Sequence, residues 1–174
     1  LGPMVKDARV LEPFAGTAAF GLEALSRGAD SVVFEDQARE MTRALTRTVR
    51  SFGVEDAVLV LMIDAAAAVR KLGLMEQRFE IVFLDPPYET RLVSKVVSQP
   101  GFTDLIETGG LLIVERRAAG PEVGLPRGYR ELFSRKYGGT AVEIYDRGGV
   151  DSPLERERDI TPDERESRST AGNI

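Results

Sequence analysis

Cysteine and histidine are absent from all 174 residues of the chain. Without cysteine there are no disulfides, no thiolate nucleophiles and no cysteine-based zinc sites. Without histidine, Ser-His-Asp hydrolysis, histidine-ligated metals and imidazole acid–base chemistry are excluded as well. Any catalysis therefore depends on carboxylates, lysines, tyrosines, backbone groups or a cofactor, and we expect no metal site.

Long apolar runs and a recognisable leader are also lacking. No stretch approaches the roughly 20 consecutive apolar residues that a membrane-spanning helix needs. The start, Leu1-Gly2-Pro3-Met4, has neither the basic region nor the apolar region of a signal peptide. We expect a cytoplasmic monomer without a membrane partner.

Positive charge is scarce in the body of the chain. The formal net charge is −5, and residues 151–174 hold seven acids and four arginines, which leaves 21 acids and 19 bases in residues 1–150. A near-neutral body is not typical of a protein that binds nucleic acid through a broad basic surface. Basic residues concentrate late in the chain, and a local nucleic-acid-binding patch there is one interpretation. A solvated charged face is the other. The residues are Arg116, Arg117, Arg127, Arg130, Arg135 and Lys136.

Strand-like and helix-like segments alternate along the first two thirds of the sequence. Apolar runs bounded by turn residues, typical of buried parallel strands, occur at 9–14, 31–35, 57–62, 81–85 and 110–115. Helix-like segments, each closed by a glycine, lie between them at 18–26, 39–52 and 65–72. The alternation predicts an α/β fold with a doubly wound, mostly parallel sheet.

The C-terminal part follows a different pattern. A loop rich in proline and glycine, 118–128, leads to two extended runs, 129–136 and 140–145, which Gly138-Gly139 separates. This pattern predicts an antiparallel hairpin, bringing the sheet to seven strands. Beyond it the sequence is polar and charged with almost no apolar periodicity, so we expect one domain over 1–148 and a disordered charged tail over 149–174.

Small residues occupy the turn between the first strand and the first helix. A glycine there lets a ligand approach the backbone closely, and the free amides at the helix start accept polar or anionic groups. Gly16 and Gly21 do not form the G-x-G-x-x-G pattern, since Ala18 takes the middle position. The turn therefore disfavours a nicotinamide-dependent dehydrogenase, and a purely structural turn explains it about as well as a ligand site.

Acidic residues follow the next two strands. Glu35 ends the second strand about 20 residues after the turn, where a carboxylate can accept both hydroxyls of a ribose. An exposed strand-end carboxylate without a role is the alternative. Asp64 follows the third strand and opens a helix, so it fits an N-cap, an adenine contact or both.

The most specific motif is Asp85-Pro86-Pro87-Tyr88, directly after an apolar strand. Two prolines stiffen the turn and remove two backbone donors, at the strand edge where open α/β sheets bind ligands. Asp85 and the Pro86 carbonyl could accept the two N–H bonds of an exocyclic base amine and free its lone pair, while Tyr88 stacks on the base. A plain Asp-Pro turn is the structural alternative.

Together these motifs resemble the bacterial 16S ribosomal RNA guanine-N2 methyltransferase family, which uses S-adenosylmethionine on a class I methyltransferase sheet. The resemblance runs from about residue 8 to residue 145. Its matching blocks are Phe14-Ala15-Gly16-Thr17, 21–29, Val33-Phe34-Glu35, Asp85-Pro86-Pro87-Tyr88 and Tyr137-Gly138-Gly139-Thr140. The stretch 22–29 is more diagnostic of this family than the motifs that all such methyltransferases share.

The resemblance implies an enzyme that moves a methyl group from S-adenosylmethionine to the N2 amine of a guanine in 16S rRNA, presented as RNA or as a small-subunit assembly intermediate. It implies that Glu35 holds the ribose, that Asp64 meets the adenine and that the catalytic residues Asp85, Pro86, Pro87 and Tyr88 receive the guanine. The cofactor-binding residues that it implies are Glu12, Phe14, Ala15, Gly16, Thr17, Glu35, Asp36, Asp64, Ala65 and Asp85.

Departures from the family pattern keep two alternatives open. Glu12 stands where an aspartate is usual, Pro13 where an aliphatic residue is usual and Ala18 where glycine is usual, which could crowd the methionine end of the cofactor. The family's basic N-terminal segment also has no counterpart before residue 9. The two alternatives are an adenine-N6 methyltransferase on DNA or RNA and a degenerate cofactor-binding module without catalysis.

Overall fold

The computed structural model describes residues 2–87, 90–120 and 123–148. Tyr88 and the tail predicted for 149–174 lie outside the described residues. The strands are β1 (Arg9–Pro13), β2 (Ser31–Glu35), β3 (Val58–Leu61), β4 (Phe79–Leu84), β5 (Ile106–Arg117), β6 (Tyr129–Tyr137) and β7 (Thr140–Arg147). The α-helices are α1 (Ala19–Ser26), α2 (Arg39–Phe52), α3 (Ala65–Leu74) and α4 (Thr90–Val97), and short 3-10 turns lie at Gly2–Val5, Glu55–Ala57 and Thr103–Leu105.

The seven strands form one sheet in the order β3-β2-β1-β4-β5-β7-β6. Strands β1 to β5 run parallel, and β7 pairs antiparallel with both β5 and β6. The predicted doubly wound sheet with a C-terminal antiparallel hairpin is therefore confirmed. Because the chain moves outward from β1 to β3 and then returns to β4 on the other side of β1, the strand order reverses between β1 and β4. Open α/β sheets bind their ligands at the carboxyl end of such a reversal.

Helices cover both faces of the parallel strands, which explains why their apolar runs are continuous. On one face Val10, Val32 and Phe34 pack with Leu45 and Val49 of α2. The other face joins alternate strand residues to α3 and α4; its buried residues include Leu11, Val33, Val82, Val69, Leu72, Val93 and Val97. No helix in the described part of the chain is both long enough and apolar enough to cross a membrane.

The helix ends agree with the predicted glycine stops at Gly28 and Gly53, which have φ values of 91° and 65°. For α3 the predicted start was confirmed but the predicted end was wrong, because the helix passes through Gly73 and ends at Leu74. Glu76 takes the left-handed conformation there, and the N–H of Gln77 donates to the carbonyl of Leu72 at 3.0 Å. That hydrogen bond closes the helix by the usual C-terminal motif without glycine at the left-handed position.

Helix α4 is the one α-helix in the described ranges that the sequence pattern did not predict. It has only eight residues and follows directly on the proline-rich turn, so its apolar spacing covers little more than two turns. The start of β5 was also predicted too late, since the strand extends from Ile106 through the glycine pair at 109–110. A Cβ atom on Gly110 would lie 2.9 Å from the Glu107 carbonyl oxygen, so close backbone packing explains this glycine.

Candidate active site

The carboxyl ends of the parallel strands open into a cleft of about 1300 Å³. All ten residues predicted to bind the cofactor line this cleft, together with Pro86 and Pro87 of the predicted base site. Tyr88, the remaining predicted catalytic residue, lies outside the described residues. The grouping follows from topology, because each of these residues lies at or just beyond the end of β1, β2, β3 or β4, and parallel strands end at the same edge.

The turn between β1 and α1 bends through three left-handed residues. Phe14, Gly16 and Ala18 have φ values of 66°, 49° and 58°. Ala18 thus adopts a conformation that usually favours glycine, at a cost of about 1–2 kcal/mol. Its methyl group is fully buried in the core with Val32 and Phe34. The alanine therefore strains the backbone and packs into the core.

Glu12 is buried at the end of β1, with 3% of its surface exposed. Its Oε2 atom accepts a hydrogen bond from the backbone N–H of Gly21 at 2.7 Å. Burial raises the pKa of Glu12 to about 8; the hydrogen bond from Gly21 opposes this rise, and the nearby charge of Asp85 adds to it. Glu12 thus holds the start of α1 against β1 while its carboxyl group lines the cleft.

Glu35 is buried as well, with 1% of its surface exposed, so an exposed strand-end carboxylate is the wrong interpretation. Burial raises its pKa to about 8, against a backbone hydrogen bond from Phe14, and the charges of Asp36 and Asp64 contribute to the rise. Within the described residues its Oε2 atom has no hydrogen-bond partner. Buried acceptors are rarely left unpaired, so this oxygen fits a ligand hydroxyl such as that of a ribose.

Asp36 fixes the glycine of the turn. Its Oδ2 atom accepts from the backbone N–H of Gly16 at 3.1 Å, and its Oδ1 atom accepts from the N–H of Ala38 at 2.7 Å. One carboxylate therefore joins the turn after β1 to the turn after β2. These two hydrogen bonds hold the turn after β1 in place without help from a ligand.

Asp64 is the N-cap of α3, as its sequence position predicts. Its Oδ1 atom accepts from the backbone N–H groups of Ala66 and Ala67 at 3.0 and 3.2 Å. Its Oδ2 atom pairs with Nζ of Lys95 at 3.2 Å. Burial alone would raise the pKa of Asp64, but the Lys95 and backbone hydrogen bonds together lower it below its ordinary value. An adenine contact by Asp64 stays a prediction.

Asp85 lies just past β4 and is exposed, whereas the following Pro86 is buried. Partial burial raises the pKa of Asp85 above its ordinary value. The pKa of Glu115 is raised by burial and by the charge of Asp85. Seven carboxyl groups and four basic side chains line the cleft as a whole. Because the pKa of Glu12 and of Glu35 is about 8, these two are mainly protonated at neutral pH, and five carboxylates then face four cations in a cleft close to neutral.

Sequence reasoning missed several residues that line the cleft. Phe20 of α1 and Phe83 of β4 stack with their ring centroids 4.2 Å apart and their planes at 9°. Lys95 comes from the unpredicted α4, and Thr140 comes from the hairpin. The signal available was the position of Phe83 two residues before Asp85, because side chains two apart on a strand share a face.

The sheet order, the flanking helices and the cleft at the strand reversal are those of the class I methyltransferase fold. The solved structure of the Escherichia coli protein yhhF, described as a candidate methyltransferase, has a TM-score of 0.76 at 24% identity and covers 86% of this chain and 82% of that one. SMU.776, another candidate methyltransferase, solved in complex with SAH, has a TM-score of 0.68 at 15% identity over 82% of this chain and 46% of that one.

The chain belongs to the family described as conserved hypothetical protein 95, whose model matches residues 1–146. YlbH of Bacillus subtilis (strain 168), named as a candidate rRNA methyltransferase, is 30% identical over 152 residues, which are 86% of this chain and 81% of YlbH. Ribosomal RNA small subunit methyltransferase D of Escherichia coli (strain K12) is 26% identical over 147 residues, or 84% of this chain and 72% of that protein. The family resemblance of the sequence motifs is thereby confirmed.

Proposed function

We propose that this protein transfers the methyl group of S-adenosylmethionine to the exocyclic N2 amine of a guanine in small-subunit ribosomal RNA. The observation that carries the proposal is the pairing of two features in one cleft. Among the residues that the structure describes, one oxygen of the buried Glu35 carboxyl at the end of β2 has no hydrogen-bond partner, and the Asp85-Pro86-Pro87 turn lies across β1 at the end of β4. The names of the relatives support ribosomal RNA as the substrate.

The residues of the cleft suit this cofactor. Glu35 would accept the ribose hydroxyls, Asp64 and Ala65 lie at the adenine end, and the turn around Gly16 would follow the methionine part. When bound, S-adenosylmethionine supplies a methyl group already activated by its positive sulfonium. The carboxylates of Asp36 and Asp85, at the ends of β2 and β4, favour that positive charge.

The turn after β4 would hold and polarise the acceptor amine. Asp85 accepts a hydrogen bond from one N–H of the amine, and the Pro86 carbonyl accepts one from the other. The nitrogen lone pair is then less delocalised into the base ring. As the new N–C bond forms and the S–C bond of the sulfonium breaks, S-adenosylhomocysteine would leave as a neutral thioether and positive charge would develop on the nitrogen. The Asp85 carboxylate stabilises this charge until the nitrogen loses one proton to that carboxylate or to water. The protein then contributes mainly orientation, with the lone pair in line with the methyl group.

The substrate is tested by incorporation of tritiated methyl groups into naked 16S rRNA, partly assembled small subunits and duplex DNA, followed by nucleoside analysis. We expect N2-methylguanine, with assembled subunits or their precursors as the best substrate, because the near-neutral body of the chain supplies little general affinity for RNA. Such a protein would work as a cytoplasmic monomer at the site of subunit assembly. Methyladenine, or DNA as the best substrate, would instead support the adenine-N6 alternative.

Calorimetric titration with S-adenosylmethionine distinguishes the proposed enzyme from the remaining alternative, a cofactor-binding module without catalysis. Binding of the cofactor without transfer to any of the three substrates would support a cofactor-binding module without catalysis. Absence of binding would contradict the cofactor assignment itself.

A further inference from the structure

Helix α2 carries four arginines on one side. Because successive helical residues are about 100° apart, these four lie within an arc of about 80°. We call them the arginine stripe: Arg39, Arg43, Arg47 and Arg50, all exposed. The helix contains one acidic residue, Glu40, and its opposite side buries Leu45 and Val49 against the sheet. The helix therefore presents a concentrated positive charge to solvent.

The positive charge of the stripe is not neutralised by an ion pair within the described residues. Throughout 2–87, 90–120 and 123–148, none of the four guanidinium groups forms an ion pair. The i,i+4 spacing sets Arg39 beside Arg43 and Arg43 beside Arg47, and like charges at this spacing destabilise a helix. Arg39 also lies in the first turn, where the helix dipole disfavours a cation. An external anion would relieve both effects.

The basic residues late in the chain differ in this respect. Arg116 pairs with Glu143 between β5 and β7, and both side chains are almost fully buried. Arg130 pairs with Asp146 between β6 and β7. The patch that the sequence left open is thus partly neutralised by carboxylates of its own sheet, so the stripe is the stronger candidate for binding an anion.

A shallow groove of about 450 Å³ runs beside the stripe. Arg43, Arg47 and Arg50 line it together with Val60 and Met62, at and just past the edge strand β3. Guanidinium groups recognise phosphate oxygens by paired hydrogen bonds, and apolar side chains can cover the sugar and base faces between phosphates. A nucleic-acid backbone fits this combination by charge and by chemistry.

The stripe begins close to the rim of the cleft. Asp36 and Gln37 line the cleft, and α2 begins two residues later, so the stripe extends from the cleft rim for about 16 Å. The cleft itself supplies little free positive charge, because three of its four cations, Arg27, Lys95 and Arg116, are paired with carboxylates. An RNA whose base enters the cleft therefore finds more positive charge for its phosphates on the stripe, outside the cleft.

We propose that the arginine stripe on α2 binds the phosphate backbone of the substrate RNA next to the nucleotide that enters the cleft. This inference rests on the proposed function for its choice of RNA. The contacts are to phosphates, so they add affinity and orientation without reading the base sequence.

The test compares two double variants that each remove two positive charges. Arg43→Gln/Arg47→Gln alters the stripe, and Arg70→Gln/Lys71→Gln alters two exposed residues of α3 on the opposite face of the sheet. Binding of a fluorescent 16S rRNA transcript is measured at several salt concentrations. We expect the stripe variant to lose about tenfold in affinity near 0.1 M salt and its salt slope to fall by about 1.4–1.8, and the control to lose less than about threefold.

The remaining outcomes separate this inference from the proposed function. Unchanged titration of S-adenosylmethionine in both variants confirms that the cleft is intact. Equal losses in the two variants, unchanged affinity in the stripe variant, or no RNA binding by the wild type would each overturn the inference. A loss seen only with assembled subunits and not with the naked transcript would assign the stripe to a protein surface and overturn it too. Absence of guanine methylation by the wild type, with the RNA-binding difference retained, contradicts the proposed function alone.

Discussion

The backbone N–H of Gly21 donates a hydrogen bond to Oε2 of Glu12 at 2.7 Å, and the ring of Phe34 also packs against this glycine. A Cβ atom at position 21 would lie 2.5 Å from Cε1 of Phe34 and 2.8 Å from Oε2 of Glu12. Strands β1 and β2 and helix α1 therefore meet at this residue without room for a side chain. Close approach, and not an unusual φ value, explains this glycine.

Replacing Gly21 by alanine should destabilise the protein by about 1–3 kcal/mol, the usual cost of overfilling a packed core. Gly73→Ala is the matched control, because a Cβ atom there meets nothing within 4 Å and α3 is helical at that point. The control should stabilise the protein by up to about 1 kcal/mol. Urea unfolding midpoints measure both, and similar midpoints for the two variants would contradict the packing account.

Replacing Glu35 by alanine should weaken S-adenosylmethionine binding by about 1–3 kcal/mol, the range for leaving a buried hydrogen-bonding group without its partner. The physical reason is loss of the buried acceptor that would hold the ribose hydroxyls. Isothermal calorimetry measures the change. Glu23→Ala is the control, since Glu23 lines the same cleft but is exposed and paired with Arg27; it should change the affinity less than about twofold. An affinity of Glu35→Ala within twofold of wild type would exclude the ribose role.

Stability should depend on pH through Glu12 and Glu35. Both have a pKa of about 8 in the folded protein against 4.5 for the unfolded group, so between these values the folded state retains protons that the unfolded state releases. The free energy of unfolding contributed by the two carboxyls therefore falls as the pH rises from about 4.5 to about 8. Urea unfolding without cofactor at pH 5, 6.5 and 8 should show this loss in the wild type and a smaller one in Glu12→Gln/Glu35→Gln. Parallel pH profiles for the two proteins would contradict it.

Asp85→Ala should lower methyl transfer by at least about 100-fold, because the group that stabilises charge on the acceptor nitrogen is removed. Its affinity for the cofactor should change far less than its rate, because the main contact proposed for Asp85 is with the acceptor amine, although Asp85 is also among the predicted cofactor-binding residues. Asp85→Asn retains a carbonyl acceptor, so partial activity is expected there. Transfer assays at saturating cofactor, paired with calorimetry, measure the two quantities separately. Activity of Asp85→Ala comparable to wild type would remove the central role of this residue.

Much of the fold could be predicted from local pattern. Strands β1 to β3 and helix α2 lie within a residue or so of their predicted bounds, because strands buried on both faces have continuous apolar runs and α2 ends at a glycine. The short helix α4 and the passage of α3 through Gly73 could not be predicted in this way. Leu72 of α3 and Val93 and Val97 of α4 are buried in one core, and such tertiary packing is not visible in local propensity.

The sequence by itself determined that the residues following β1 to β4 would share the cleft, because residues that follow parallel strands must gather at one edge of the sheet, whereas the contributions of Lys95 and Thr140 came only from the folded chain. The tertiary structure alone decided their electrostatic state. Glu35 became a buried acceptor with a raised pKa, and Asp64 gained Lys95, 31 residues further along the chain. The same holds for the arginines, since Arg116 of β5 is paired with Glu143 of β7 while the stripe on α2 forms no ion pair within the described residues. Burial and ion pairing depend on neighbours distant in sequence, and only the folded chain brings those neighbours together.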